Sequence, residues 1–184
     1  LSLRYKDPTA HIDFDNAVLA CKQKGTGWHL MTNAERAAIA LWCKKNGFWP
    51  RGNNSYGKDY SRTDEVGIPS YYYDDSSGTK QIGRTLTGSG PPSWTHDGTP
   101  FGIADLNGNV WEWLAGLRLL DGEINILENN NAADHTKDLS RGSDEWKAVL
   151  QDGSLVAPGT ADTLKYDFTL APTNDGITQN QGSP

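Results

Sequence analysis

Residues 102–113 read GIADLNGNVWEW, and they gather two tryptophans, a glutamate, an aspartate and two asparagines around a glycine turn. A catalytic loop, a metal site and the keystone of a fold all fit such a stretch. Asn107-Gly108 predicts a tight turn. After it, Val110, Glu112 and Leu114 would face one way and Trp111, Trp113 and Ala115 the other, as in a strand. The keystone reading expects Trp111 and Trp113 to anchor separate packing layers and backbone donors to satisfy Glu112. A buried carboxylate with neither an ion nor several donors would cost several kcal/mol. Further on, Asp121-Gly122 predicts a hairpin between WLAGLRLL and EINIL.

Upstream, HIDFDNAVLACKQKG predicts a helix from Phe14, with Asp13 as its N-cap and Gly25 as its stop. TNAERAAIALWCKKNG predicts a second, because Thr32 and Glu35 stand at capping-box spacing and Asn46-Gly47 closes the element behind two lysines. The expected inner face is Ala34, Ala38, Leu41 and Trp42. Residues 48–93 are dense in Gly, Ser, Asn, Asp and Pro without a period, and read as long ordered loops. A polar loop at 129–140, a short helix around Trp146 and a last strand at 163–170 complete the expectation. Residues 1–171 read as one domain and 172–184 as a polar tail. The start at Leu1, without Met and inside what reads as a loop, is expected of a stretch taken from a longer polypeptide.

The chain is long enough to bury about 70% of its unfolded surface. Seven Trp, seven Tyr and four Phe among only 36% apolar residues imply a core of few, large side chains, and 20 Gly with 9 Pro favour a loop-rich α+β or β domain. Seventeen basic residues against 23 acidic ones, with no basic run, exclude nucleic acid as a partner. No stretch approaches the ~20 apolar residues of a membrane span, and the first residues lack the order of a signal peptide, so the chain reads as soluble. Cys21 and Cys43 are too few for a disulfide scaffold or a zinc site and read as buried packing.

With both helices and the tryptophan turn located, a resemblance emerges. Residues 14–43 resemble the stretch of formylglycine-generating-enzyme-like proteins in which a short helix leads through a strand to a Leu-Pro-Thr-x-x-Glu-Trp helix start. GIADLNGNVWEW resembles that superfamily's Gly-x-x-Asp-x-x-Gly-Asn-Val-Trp-Glu-Trp signature. GWHLMTNAERAAIALWCKKNG, PRGNNSYGKD and GRTLTGSGPPSWTHDGTPFGIADLNGNVWEW are similar to variable proteins of diversity-generating retroelements, among them phage receptor-binding and bacterial surface proteins. The resemblance implies an α+β C-type lectin fold with two helices, a small twisted antiparallel sheet and long ordered loops. Arg36 stands where the family carries Trp, which should leave that face more exposed. The family's closing Arg-Gly-Gly-Ser strand and terminal Gly-Phe-Arg have no clear counterpart.

Among such relatives the sulfatase-activating enzymes use a cysteine pair placed after the Trp-Glu-Trp motif, where a thiolate binds copper. No cysteine follows Trp113 in the 184 residues. The sulfoxide-synthase relatives need three clustered histidines, whereas His11, His29, His96 and His135 are scattered. Asp105, Gly108, Val110 and Glu112 match positions that ligate calcium in some relatives, but a structural role for them is the favoured reading, calcium the alternative, and no other cofactor is implied. Tyr71, Tyr72, Tyr73 and Trp94 sit in expected loops, either as a contact surface or as pins for those loops. The favoured expectation is a non-enzymatic receptor-binding or surface-display domain on a virion or bacterial surface, whose partner is a cell-surface protein or glycan. An oxidase completed by cysteines beyond residue 184, and a structural tail or adhesin module that forms homo-oligomers, are the alternatives.

Overall fold

Asp13 and Thr32 start the two helices as their side chains dictate. In α1 (Phe14–Lys22) Asp13 Oδ1 accepts from Asn16 N at 2.8 Å. In α2 (Asn33–Lys45) the capping box is complete: Thr32 Oγ1 accepts from Glu35 N at 3.1 Å, and Thr32 N donates to Glu35 Oε2 at 3.0 Å. Thr32 is 1% exposed. Its replacement by alanine should therefore cost about 1–2 kcal/mol, read as a lower urea midpoint at unchanged slope.

The structure, a computed structural model, describes residues 3–166. The tail at 172–184 and the later part of the strand expected at 163–170 lie outside them. The described residues gather into two compact units. The first runs to Ala115 and is joined by Ala133–His135; the second holds Gly116–Ala132 and the described residues from Thr136 onward. Together the elements make an α+β protein with two α-helices and small antiparallel sheets.

Unit one contains both helices and an antiparallel ribbon, β1 (Pro69–Asp74) with β2 (Lys80–Thr85). This ribbon lies in the segment expected to be loop. Its signal is weak in the sequence because three consecutive tyrosines mask any alternation. The turn between its strands closes on Asp75, whose Oδ1 accepts from Ser77 N and Oγ and from Thr79 N, while Oδ2 accepts from Gln81 Nε2. These bonds, the Ser77 hydroxyl foremost, hold the Asp75 carboxyl far below the usual carboxylate range.

The expected inner face of α2 is corrected. Ala34 and Ala38 are exposed, as are Leu41 (66%) and Trp42 (42%). The sheltered stripe is instead Thr32, Arg36, Ile39 and Cys43. Two of its polar groups find inward partners, which a hydrophobic pattern cannot reveal: Arg36 Nη2 donates to Leu106 O, and Cys43 Sγ to His96 O at 3.4 Å. Cys43 is buried as expected, Cys21 is half-buried, and both thiols are free.

Unit two is a four-stranded antiparallel sheet in sequence order: β3 (Leu117–Leu120), β4 (Glu123–Ile126), β5 (Lys147–Val149) and β6 (Leu155–Val156). The hairpin at Asp121-Gly122 forms as expected, with both residues at positive φ (49° and 83°). Around Trp146 the helix expectation fails and β5 takes its place. Trp146 is 3% exposed and donates its Nε1 to Ser140 O at 2.9 Å, with the Arg118 guanidinium 4.9 Å above its ring. Of the last expected strand, Thr163 and Lys165 make isolated bridges to Leu150 and Glu123.

Candidate functional site

The tryptophan turn is built first by main chain against main chain. Gly108 bridges Asn53 in parallel, and a Cβ on Gly52 would lie 1.7 Å from the Asn107 carbonyl oxygen. Gly108 itself has φ +76°, and its own Cβ would stand 2.3 Å from Asn53 O. Only glycine fits either place. Asn109, at φ 69°, then fastens three segments with one amide. Its Oδ1 accepts from Thr85 N (2.8 Å), Thr85 Oγ1 (3.2 Å) and Asn53 Nδ2 (3.3 Å), and its Nδ2 donates to Thr85 O (3.0 Å).

Two carboxylates, Asp59 buried and Glu65 half-buried, hold the loop that faces this turn. Asp59 is 1% exposed. Burial pushes its carboxyl up, but bonds from Ser61 Oγ and N, Gly52 N and Arg62 N outweigh that and bring it below the ordinary value. Glu65 receives Arg51 Nε at 2.8 Å, Ser93 Oγ at 2.7 Å and Trp94 Nε1 at 3.1 Å; the Arg51 bond does most to lower its pKa. Trp94 is 2% exposed, which corrects its place among contact residues: it pins the loop and offers no surface.

The indole pair also departs from expectation. Trp111 is 80% exposed and Trp113 45%, so the two rings do not anchor separate layers. Trp113 is held by its Nε1 on Ile12 O (2.8 Å) and by an edge contact with Phe14. The glycine joint and Asn109 do the anchoring instead. Nor does residue 110–114 form a laddered strand; Ala115 alone bridges, to Thr32.

Beside the turn lies a cavity of about 680 Å³, wholly within unit one. Asp105, Gly108, Val110 and Glu112, separated in sequence, all line it, together with Arg36, Tyr56, Tyr73 and Trp111. Asp105, at φ 60°, accepts from Gly88 N at 2.6 Å. Burial raises its pKa against the pull of that bond and of Arg4. Glu112 accepts no hydrogen bond, contrary to the expected backbone donors. Burial raises its pKa too, Arg36 opposes, and the charge of Asp105 adds to the rise. The charge of Asp105 is thus felt at Glu112. A calcium ion there would need the carbonyls of Gly108 and Val110 and several waters besides. Among the described residues no group of three His, Cys, Asp or Glu is placed to hold a metal ion.

Of the expected contact tyrosines, Tyr73 reaches this cavity; its hydroxyl pKa is raised by burial, then by Tyr56 and Asp75. Tyr71 and Tyr72 are 45% and 48% exposed on β1, each facing a cation of β2: Arg84 at 4.6 Å and Lys80 at 5.4 Å. Arg36 and Tyr56 were not among the expected site residues. Arg36 is marked in the sequence only by standing where the resemblance has Trp, and Tyr56 (55% exposed) only by its glycine-rich loop. No helix among the described residues is long and apolar enough to cross a membrane.

A family model for sulfatase-modifying factor enzyme 1-like domains matches residues 2–146. No curated protein matches the chain.

Proposed function

The chain belongs to the family of sulfatase-modifying factor enzyme 1-like domains, and from that premise we propose that it is a non-enzymatic binding domain whose contact surface is the aromatic rim of the unit-one cavity. One observation carries the reading. Trp111, Tyr56 and Tyr73 stand exposed over a recess with two loosely held carboxylates, while the frame beneath is fixed by buried bonds. Large rings with few rotamers supply contact area at low entropic cost. The similarity of residues 27–47, 50–59 and 83–113 to phage and bacterial variable proteins supports a partner on a cell surface, protein or glycan, with the domain displayed on a virion or bacterial envelope.

Trp111→Ala tests this. Binding to intact bacterial cells should fall about thirtyfold, corresponding to ~2 kcal/mol at a contact hot spot. Stability should move by less than about 0.5 kcal/mol, since so exposed a ring leaves no void. Unchanged cell binding in this variant counts against the assignment. Family membership itself favours an oxidase as the second reading. Copper uptake with thiol-dependent oxygen consumption by the full-length protein would establish it.

A further inference from the structure

The outward side of α2 lacks the charge that a solvated helix face carries. Opposite the sheltered stripe, Ala34, Ala37, Ala38, Ala40, Leu41 and Trp42 are all exposed, and no charged residue stands between Arg36 and Lys44. The face widens sideways within unit one. The Trp42 ring lies 5.0 Å from that of His96, and His96 N donates to Ile103 O while Ile103 N donates to His96 Nδ1, both at 2.9 Å. In the same loop Phe101 is 97% exposed, and the open Trp49 follows Phe48, whose ring lies against Gly98. The exposed parts of Leu41, Trp42, Trp49, Phe101 and Ile103 equal about three whole large side chains, or roughly 600 Å² of apolar surface. The largest such patch on a monomer is about 300–600 Å², and a standard interface takes about 800 Å² from each partner, a size this face approaches once its alanines are included.

We propose that this face pairs with the same face of a second copy of the chain, α2 against α2 in antiparallel about a two-fold axis. The inference is independent of the binding role proposed above, because none of these residues lines the unit-one cavity. Side-chain size selects the partner. Ala34, Ala37, Ala38 and Leu41 stand at i, i+3, i+4 and i+7, the outline of a hole that receives one knob from a facing helix. An axis that crosses α2 between Ile39 and Ala40 sets Leu41 of each copy opposite Ala38 of the other, and so into that hole. A parallel pair would instead set Leu41 against Leu41 and leave the alanines facing one another. The face is thus complementary to itself, as a two-fold interface requires. Charge agrees with size: the same axis brings Lys45 of one copy alongside the first turn of the other, where the Glu35 side chain is 34% exposed.

Analytical ultracentrifugation of the full chain tests this. The parent should show a monomer–dimer equilibrium with a dissociation constant in the micromolar range or below. Ala38→Glu and Leu41→Lys should each weaken it about thirtyfold, since both put charges into an apolar contact. Mixing the two variants should bring association back to within about threefold of the parent. In the mixed pair the carboxylate introduced at 38 meets the ammonium introduced at 41, while the second Leu41–Ala38 contact stays intact. Both positions are exposed, so the variants keep their fold, and their melting temperatures verify this. A parent that stays monomeric at several hundred micromolar overturns the inference. So does association that either single variant leaves intact, or that mixing fails to restore. A monomer that binds phosphatidylserine vesicles, and loses them in Phe101→Ser, would give the face to a lipid surface and overturn the self-pairing.

Discussion

Gly52→Ala is expected to leave unit one unfolded under conditions where the parent is fully native. The added Cβ would sit 1.7 Å from the Asn107 carbonyl oxygen and 2.7 Å from its carbon. Both are main-chain atoms and cannot rotate away as a side chain would. Overpacking against side chains typically costs 1–3 kcal/mol. Here the backbone of the turn must retreat, which also breaks the Gly108 bridge to Asn53 and loosens the Asn109 bonds. A loss of at least about 3 kcal/mol follows. Gly142→Ala is the control: nothing lies within 4 Å of its would-be Cβ and its φ is not positive, so stability should change by less than about 0.5 kcal/mol. Urea unfolding followed by circular dichroism distinguishes the two, and equal effects would remove the glycine joint from the account of this fold.

Glu123→Ala should do comparable damage to unit two. Glu123 is 6% exposed, and its carboxylate accepts from Asn125 Nδ2 (2.8 Å), Thr163 Oγ1 (2.8 Å) and Gly159 N (3.0 Å). Truncation strands three donors in a dry place, and Asn125, itself 0% exposed, has little water to turn to. Removing a buried charged partner of this kind costs about 3–5 kcal/mol. The acid response follows from the same bonds. The Asn125 amide lowers the Glu123 pKa most, burial opposes, and Thr163 and Gly159 assist, so the folded value lies below the unfolded one. The contribution of Glu123 is therefore full above the ordinary glutamate range and is lost as pH falls through the folded value. Glu123→Gln should flatten this acid limb of unit-two stability, measured as urea midpoint against pH. An unaltered acid limb would mean another group sets it.

Signals written within a few residues were legible in the sequence. Asp13, the Thr32–Glu35 box and Asp121-Gly122 each fix a local hydrogen-bond pattern that needs no tertiary partner, and each appears where expected. What depends on distant partners was not legible. The sheltered stripe of α2 runs through Arg36 and Cys43 because Leu106 O and His96 O wait for them, whereas hydrophobicity alone favours Leu41 and Trp42. Trp146 leads directly into β5 because Ser140 and Arg118 hold it there, although its neighbours accept a helix equally well. The site was half legible. One motif spells out Asp105, Gly108, Val110 and Glu112, and they do share a cavity. Tyr56 and Arg36 reach it from loops and helix faces about which the motif is silent, and the openness of Trp111 reflects which residues cover it, a property no local pattern encodes.

Trp94 in unit one and Trp146 in unit two are each sheltered from solvent with the indole N–H bonded, while the other five tryptophans are all at least 39% exposed. Each half of the molecule thus carries its own internal spectroscopic probe. A chain whose remaining indoles are replaced by phenylalanine would emit in the blue from two sites, and the successive red shifts on heating would time the melting of one half against the other.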